Sequence, residues 1–179
     1  LIPLNAIASS TLMPGSNPLF GLNTLGGSIS LRTKSGKEYQ SLESEILAGS
    51  WGRNKYDVSF GNKIGQSDIF FAASQFDEDG WRDYSPSDVK QGFFKFGWEN
   101  DTTNFDISFT NANTNLIGNG VLPVSMVNQR RNQTYTLYDQ TTNLLEMAII
   151  NASHLVGDKF LISGVSYFRG NKTTTFNGD

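Results

Sequence analysis

From residue 42 onward, apolar and polar residues alternate along the chain with a period of two. Leu42, Ile46 and Ala48 fall on one side of a predicted strand, and Glu43 and Glu45 fall on the other. Successive side chains of an extended strand point to opposite faces, so this pattern is typical of a strand with one apolar and one polar face. Seven strands are predicted, near residues 42–51, 55–64, 68–77, 90–99, 104–114, 144–155 and 160–172. The alternation is weaker in the strands near 68–77, 144–155 and 160–172.

The connections between the predicted strands differ in length at the two ends of the sheet. Tight turns made of turn-forming residues are predicted at 65–67, 100–103 and 157–158. Longer connections cover 77–89 and 115–143 at the opposite end, although the first connection at that end, 51–54, is short. Transmembrane barrels have short turns at one end and long loops at the other. The predicted fold class is therefore all-β, an antiparallel membrane β-barrel.

Composition and charge exclude several classes of function. The 179 residues include 14 Lys or Arg and 17 Asp or Glu, and this net charge of -3 argues against nucleic-acid binding by bulk charge. The absence of cysteine excludes disulfides and thiolate metal sites. The single histidine, His154, argues against a Ser-His-Asp enzyme and against a histidine-rich metal centre. We predict no catalytic site, no metal site and no cofactor.

The apolar runs are too short for a membrane-spanning helix. The runs at 147–150 and 160–162 fall far short of the ~20 residues that such a helix needs. The sequence opens without an initiator methionine or a recognisable secretory signal, so we expect it to be a piece of a longer protein. A β-barrel is then the membrane architecture open to it, because lipid tolerates no unpaired backbone groups.

The first forty residues form a separate predicted unit. They lack sustained alternation and are rich in Asn, Ser, Gly and Pro. A short strand is predicted over 28–34, and a polar linker over 35–40 follows it. We therefore place one domain at 1–40 and a second domain at 41–179.

Residues 7–34 resemble the end of the plug domain of TonB-dependent outer-membrane receptors. The family pattern there is a strand, a turn glycine, an aromatic–glycine pair, two adjacent glycines, and a short strand that ends in Thr-Lys. The matching residues are Gly15, Phe20, Gly21, Gly26, Gly27, Thr33 and Lys34. Residues 49–53 and 79–88 are similar to barrel hairpins of siderophore-type members. Where many members have charged residues before the plug turn, this chain has Ala8, Ser9, Ser10, Thr11 and Pro14, which argues against a charge-pair latch there.

The resemblance implies an outer-membrane receptor that actively takes up a scarce solute, above all a ferric siderophore. The TonB–ExbB–ExbD complex would supply the energy through a TonB box that lies outside this sequence. A plugged barrel has about 22 strands, so the chain is expected to provide the end of the plug and the N-terminal strands of the wall. Outer-membrane lipid and lipopolysaccharide would surround the barrel, and Glu43, Glu45, Asp57 and Asp106 would face the plug.

Candidate ligand contacts lie in the two longest predicted connections. Arg130 and Arg131 are adjacent, and guanidinium groups bind the carboxylate or catecholate groups of an anionic ferric complex. The alternative for this pair is a solvated loop or contact with lipopolysaccharide phosphates. Gln129, Asn119 and Trp81 are further candidates at the same mouth.

Other polar and aromatic residues have plainer interpretations. Five aromatic residues at or near predicted strand ends suit an interfacial girdle: Trp51, Trp81, Tyr84, Trp98 and Tyr167. The acidic cluster at 77–80 lacks the spacing of a calcium loop and is interpreted as a tight outer turn. His154 is interpreted as a residue at the barrel rim.

Two other interpretations of the function stay open. One is a soluble β-sandwich that presents Trp81 and Tyr84 to glycans. The other is a receptor of the same family for a non-iron ligand, such as cobalamin, a nickel complex or an oligosaccharide. The difference between short turns and long loops favours the barrel over the sandwich.

Overall fold

A computed structural model describes residues 2–15, 26–136 and 139–178. Within these ranges the chain is all-β apart from one 3-10 turn and one short helix. In chain order the elements are a 3-10 turn at Leu4–Ala6, β1 (Ile7–Pro14), β2 (Gly27–Thr33), β3 (Leu42–Ala48), β4 (Asn54–Ile64), β5 (Ser67–Glu78), β6 (Ser87–Glu99), β7 (Thr103–Gly118), α1 (Val124–Gln129), β8 (Asp139–Val156) and β9 (Phe160–Phe176). All seven strands predicted from alternation are present. Helix α1, which was not predicted, lies in the longest connection.

Strands β3 to β9 form one antiparallel sheet, in which each strand pairs with the next along the chain. Hairpins produce this sequential order, as the alternation and the tight turns predict. A β-sandwich divides its strands between two packed sheets, whereas one sheet holds all seven strands here. Strands β3 and β9 are the two edges of the described sheet, which does not close into a barrel.

Strands β7 and β8 extend furthest beyond their predicted ends, because polar residues continue them. Strand β7 has 16 residues and β8 has 18. In the added part, Gln140 Nε2 donates to Asn115 Oδ1 at 2.8 Å, and Asn143 Nδ2 donates to Thr114 Oγ1 at 3.2 Å. Cross-strand polar pairs of this kind stabilise a sheet without any apolar alternation that a sequence would reveal.

The two ends of the sheet have connections of different length, as predicted. At the short-turn end, β4, β6 and β8 lead into the next strand through 65–66, 100–102 and 157–159. Gly65 and Gly157 have φ values of 61° and 59°, which a glycine adopts without steric cost. At the long-loop end, the connections are 49–53, 79–86 and 119–138.

The two faces of the sheet carry different side chains. One lateral row crosses all seven strands through paired residues: Leu42, Phe60, Phe71, Phe94, Phe109, Ala148 and Phe168. We call the face that carries this row the aromatic face; Phe105 and Trp98 pair on it as well. The row beside it lies on the opposite, polar face: Glu43, Ser59, Ala72, Phe93, Thr110, Met147 and Arg169. Glu45, Asp57 and Asp106 lie on the polar face, the side predicted for them.

The N-terminal segment packs against the polar face. Ala6 joins Phe70, Ala72 and Phe93 in a buried cluster, against which Ile2 and Tyr39 pack. The Phe70 and Phe93 rings lie 6.2 Å apart at 55°, a favourable tilted arrangement. The small apolar core of the described residues therefore lies between residues 2–6, the linker and the centre of the sheet.

Polar contacts and one close backbone approach hold the same segment in place. Asn5 Nδ2 donates to the carbonyl oxygens of Val58 and Ala73 at 3.0 and 3.1 Å. A Cβ on Gly61 would lie 1.8 Å from the Tyr39 carbonyl oxygen, so only glycine lets the linker approach β4 this closely. The linker is thus in direct backbone contact with the sheet.

Candidate functional site

The residues predicted to contact a ligand all lie at the long-loop end of the sheet. Trp81 is in the connection between β5 and β6, and the others are in the connection between β7 and β8. We call residues 49–53, 79–86 and 119–136 together the rim. Hydrogen bonds join its three parts.

Arg82 ties the two longest connections together. Its Nη1 donates to the Gly120 carbonyl oxygen at 3.0 Å, and its Nη2 donates to the Gln133 carbonyl oxygen at 3.0 Å. The Nε atom is buried and has no hydrogen-bond partner among the described residues. Arg82 was not among the sequence candidates, because a single arginine in a loop carries no signal of the carbonyl oxygens it will meet.

Asp83 makes a second set of bonds between the same two connections. Arg130 Nη2 lies 2.5 Å from Asp83 Oδ2, and Asn132 Nδ2 donates to Asp83 Oδ1 at 3.3 Å. The Asp83 amide donates to the Asn132 carbonyl oxygen at 2.7 Å. Thr134 Oγ1 donates to the Asp83 carbonyl oxygen at 2.6 Å. Every polar group of Asp83 is therefore used to hold the longer loop.

The predicted ligand contacts have unequal surroundings. Arg130 is 58% exposed but is engaged with Asp83, and Asn119 Oδ1 accepts a hydrogen bond from Thr134. Gln129 ends α1 and is exposed, and Arg131 is exposed with no ion pair to any residue in the described ranges. Trp81 is 52% exposed, and its ring lies 5.9 Å from the Arg82 guanidinium carbon. Ligand contact by these residues stays a prediction.

The shortest rim loop is joined to its neighbour by one backbone bond and one ion pair. The Asp79 amide donates to the Trp51 carbonyl oxygen at 2.9 Å, and Arg53 Nε lies 2.8 Å from Glu78 Oε2. Glu78 belongs to β5, together with Asp77. The prediction that residues 77–80 form a turn is therefore wrong for their first half. Across the described ranges, no group of three or more Asp, Glu or His residues is arranged to hold a metal ion.

The aromatic residues predicted as a girdle divide into three groups. Trp98 lies near the end of β6 on the aromatic face, opposite Phe105. Trp51, Trp81 and Tyr84 lie in rim loops beyond the strand ends, and the first and last of these have φ values of 59° and 58°. Tyr167 lies inside β9, opposite Ile149 on the polar face. The prediction that Tyr167 belongs to a girdle at the strand ends is therefore wrong. Strand β9 has apolar residues on both faces, so the sequence pattern does not show which face Tyr167 occupies.

The residues that resemble the plug pattern surround a two-stranded hairpin. Strand β1 pairs with β2 from Ile7–Thr33 to Pro14–Gly27, and Gly15 and Gly27 have φ values of 90° and 130°. Thr33 ends β2, Gly26 immediately precedes it, and the Lys34 amide donates to the Ala6 carbonyl oxygen at 2.8 Å. Phe20 and Gly21 lie outside the described residues.

Charged contacts are made by the linker and by Lys34 just before it, rather than by the strand before the plug turn. Lys37 Nζ lies 2.6 Å from Glu99 Oε1 at the short-turn end, and Lys34 Nζ lies 3.7 Å from Glu43 Oε2. The hydrogen bond to Glu99, with its negative charge, raises the pKa of Lys37 above its usual range. Also at this end, His154 Nδ1 lies 2.8 Å from Thr103 Oγ1.

No protein-family model matches the chain, and no curated protein sequence matches it. In the part of the chain that the structure describes, no helix is long and apolar enough to cross a membrane. The family resemblance therefore stays a prediction.

Proposed function

We propose that this chain contributes wall strands and the end of the plug to a TonB-dependent outer-membrane receptor that takes up a ferric siderophore. The observation that carries the proposal is the aromatic face. Phe71, Phe94 and Phe109 form a continuous row across neighbouring strands, and each is between 39% and 50% exposed. Contiguous exposed apolar surface marks a surface that contacts a partner or a membrane. The hydrocarbon chains of a lipid bilayer can cover such a row across the whole width of a sheet.

The polar face supports the second half of the proposal. Its centre is covered by residues 2–6 and by Tyr39, the place that a plug has in a barrel. Several of its charged residues are paired, as in the 2.5 Å contact of Lys55 with Asp57 and the 3.4 Å contact of Lys95 with Asp106. Charged side chains are costly toward lipid and suit a water-filled, plug-occupied lumen.

The open edges of the sheet require further strands. Each unpaired backbone N–H or C=O group costs several kcal/mol in lipid, and β3 and β9 each have one free edge in the described sheet. In the proposed receptor, other strands of a closed wall pair with both edges. The TonB–ExbB–ExbD complex supplies the energy for transport, and lipid and lipopolysaccharide surround the wall.

The rim supports ligand capture at the end opposite the short turns. It carries two exposed arginines, of which Arg130 is paired with Asp83 and Arg131 has no ion pair within the described residues. Guanidinium groups suit the anionic oxygens of a ferric siderophore. The exposed rings of Trp81 and Tyr84 also suit stacking on a sugar ring. An oligosaccharide is therefore the second ligand class that we consider.

Cell fractionation tests the location. We expect the protein to sediment with the outer membrane and to migrate differently on gels before and after heating, as closed barrels do. Recovery in the soluble periplasm would contradict the proposal.

A pair of single-cysteine variants tests which face meets lipid. The chain has no native cysteine, so Ile46→Cys and Glu45→Cys each carry one spin label. These residues are adjacent in β3, and both are exposed, on opposite faces. We expect the Ile46 label to be relaxed by lipid-soluble oxygen and the Glu45 label by a water-soluble nickel complex. Equal accessibility of both labels to the nickel complex would reject the lipid-facing assignment.

A further inference from the structure

The turn that follows α1 presents one guanidinium group while its neighbours on both sides are held. Asp83 binds the side chain of Arg130 and the side chain of Asn132, the residues before and after Arg131. The Asp83 amide also donates to the Asn132 carbonyl oxygen at 2.7 Å. The backbone at Arg131 is therefore fixed from both directions by a single residue of the neighbouring loop.

Arg82 extends this support to both ends of the longer loop. It binds the carbonyl oxygen of Gly120, soon after β7, and that of Gln133, two residues after Arg131. The segment that carries Arg131 is thus anchored before α1 and after it. The Arg131 side chain is exposed and forms no ion pair within the described residues.

We propose that Arg131 contacts an anionic group of the ligand and that Asp83 is a positioning residue, acting through Arg130 and Asn132. A guanidinium group binds a carboxylate or catecholate with two parallel N–H donors, but only when it is correctly oriented. Holding the turn before the ligand arrives removes part of the ordering cost of binding. The adjacent arginines therefore divide the work, since Arg130 neutralises Asp83 and Arg131 meets the ligand. This inference rests on the proposed function.

Binding of two anionic ferric complexes to the whole receptor that contains this chain, purified in detergent, tests the assignment. The probes are iron(III)–citrate and an iron(III)–catecholate complex, followed by tryptophan fluorescence at several salt concentrations. We expect Arg131→Gln to weaken binding of at least one probe by about 10- to 100-fold and to reduce its salt dependence. Arg131→Lys keeps the charge but not the fork, so it should restore part of the affinity. Lys159→Gln removes one charge at the short-turn end and is the matched control.

The positioning role of Asp83 has a distinct signature. We expect Asp83→Asn to weaken binding about tenfold while leaving its salt dependence in place, because the charge on Arg131 remains. Amide hydrogen exchange of residues 130–134 should become faster in this variant and stay unchanged in Arg131→Gln. Asp83→Glu, which keeps the carboxylate, should recover part of the binding.

Several results would overturn this inference without affecting the proposed function. They are binding of neither probe to the unaltered protein, unchanged binding in Arg131→Gln, or loss of salt dependence in Asp83→Asn. If Arg131→Gln co-purifies with less lipopolysaccharide than the unaltered protein but binds the ferric probes equally well, the guanidinium binds a lipid phosphate instead. Outer-membrane location and heat-dependent migration report on the proposed function separately.

Discussion

Phe93 and Phe94 are neighbours in β6, yet their side chains occupy opposite environments. Phe93 is 3% exposed beneath the N-terminal segment, whereas Phe94 is 39% exposed in the row of the aromatic face. The two residues have the same chemistry and the same backbone conformation. Strand parity therefore separates the side chains into two sets, and a distant segment of the chain decides which set is covered.

The difference extends over the whole sheet. On the polar face, apolar residues gather where residues 2–6 and Tyr39 cover them, and several charged residues around them are paired. On the aromatic face, the apolar residues continue from strand to strand with nothing among the described residues packed over them. One face is packed like a protein core, and the other carries an uncovered apolar row that we propose meets lipid.

The largest expected effect on stability follows from removing a buried side chain from the polar face. Phe93→Ala removes a buried ring that packs against Phe70, and it should lower the free energy of unfolding by about 3–5 kcal/mol. Urea unfolding in detergent, followed by tryptophan fluorescence, measures this change. Phe94→Ala is the control and should lower stability much less. Equal losses in the two variants would contradict the assignment of the covered face.

A charge on the aromatic face should have the next largest effect. Phe94→Arg places a guanidinium where we propose lipid contact, which costs about 2–4 kcal/mol near the middle of a bilayer. Reversible folding of the whole receptor that contains this chain into phospholipid vesicles measures the cost, with Phe94→Leu as the apolar control. If the arginine and leucine variants fold into vesicles equally well, this face does not meet lipid.

Alanine substitutions at two glycines on opposite faces test whether the linker packs closely on β4. Gly61→Ala forces a methyl group against the Tyr39 carbonyl oxygen and should destabilise the protein by about 1–3 kcal/mol. Gly92→Ala, on the aromatic face, meets no atom within 4 Å and should change stability by less than about 0.5 kcal/mol. The difference between their urea midpoints is the measurement. An equal shift in both would show that the linker does not constrain β4.

The smallest effect is expected at the exposed contact between linker and sheet. Lys37→Met removes the ion pair with Glu99, which is solvent-screened, so the urea midpoint should move only slightly at neutral pH. The folded state raises the pKa of Lys37, so the pair stabilises the protein below the unfolded pKa, and this stabilisation is lost as the pH rises through the folded pKa. The difference between Lys37→Met and the unaltered protein should therefore disappear at strongly alkaline pH. A large difference that persists there would contradict a purely electrostatic role.

Much of the strand pattern was predictable, whereas the contacts within the rim were not. The pattern located all seven strands, although its alternation is weaker in β5, β8 and β9 than in β3, β4 and β7. It missed the outer part of β7 and β8, where pairs such as Gln140 with Asn115 are polar. It also missed α1, whose six residues are too few to establish a helical period.

The contacts within the rim were likewise not predictable from the sequence pattern. Arg130 and Arg131 are adjacent in a long loop, and the same prediction, ligand contact, was made for both from the sequence. Only folding brings Asp83 against Arg130 and leaves Arg131 exposed, since the two partners are separated by 47 positions in the chain. Loop residues have no periodic pattern from which an ion pair such as Arg130–Asp83 could be predicted.

By itself, the sequence determined the strands, their sequential pairing and the two ends of the sheet, because alternation and turn residues act over short stretches of chain. Tertiary structure alone decided which face the N-terminal segment covers, which glycine the linker approaches, and which arginine Asp83 binds. Those outcomes depend on residues that are distant in the chain and meet only when the backbone has folded.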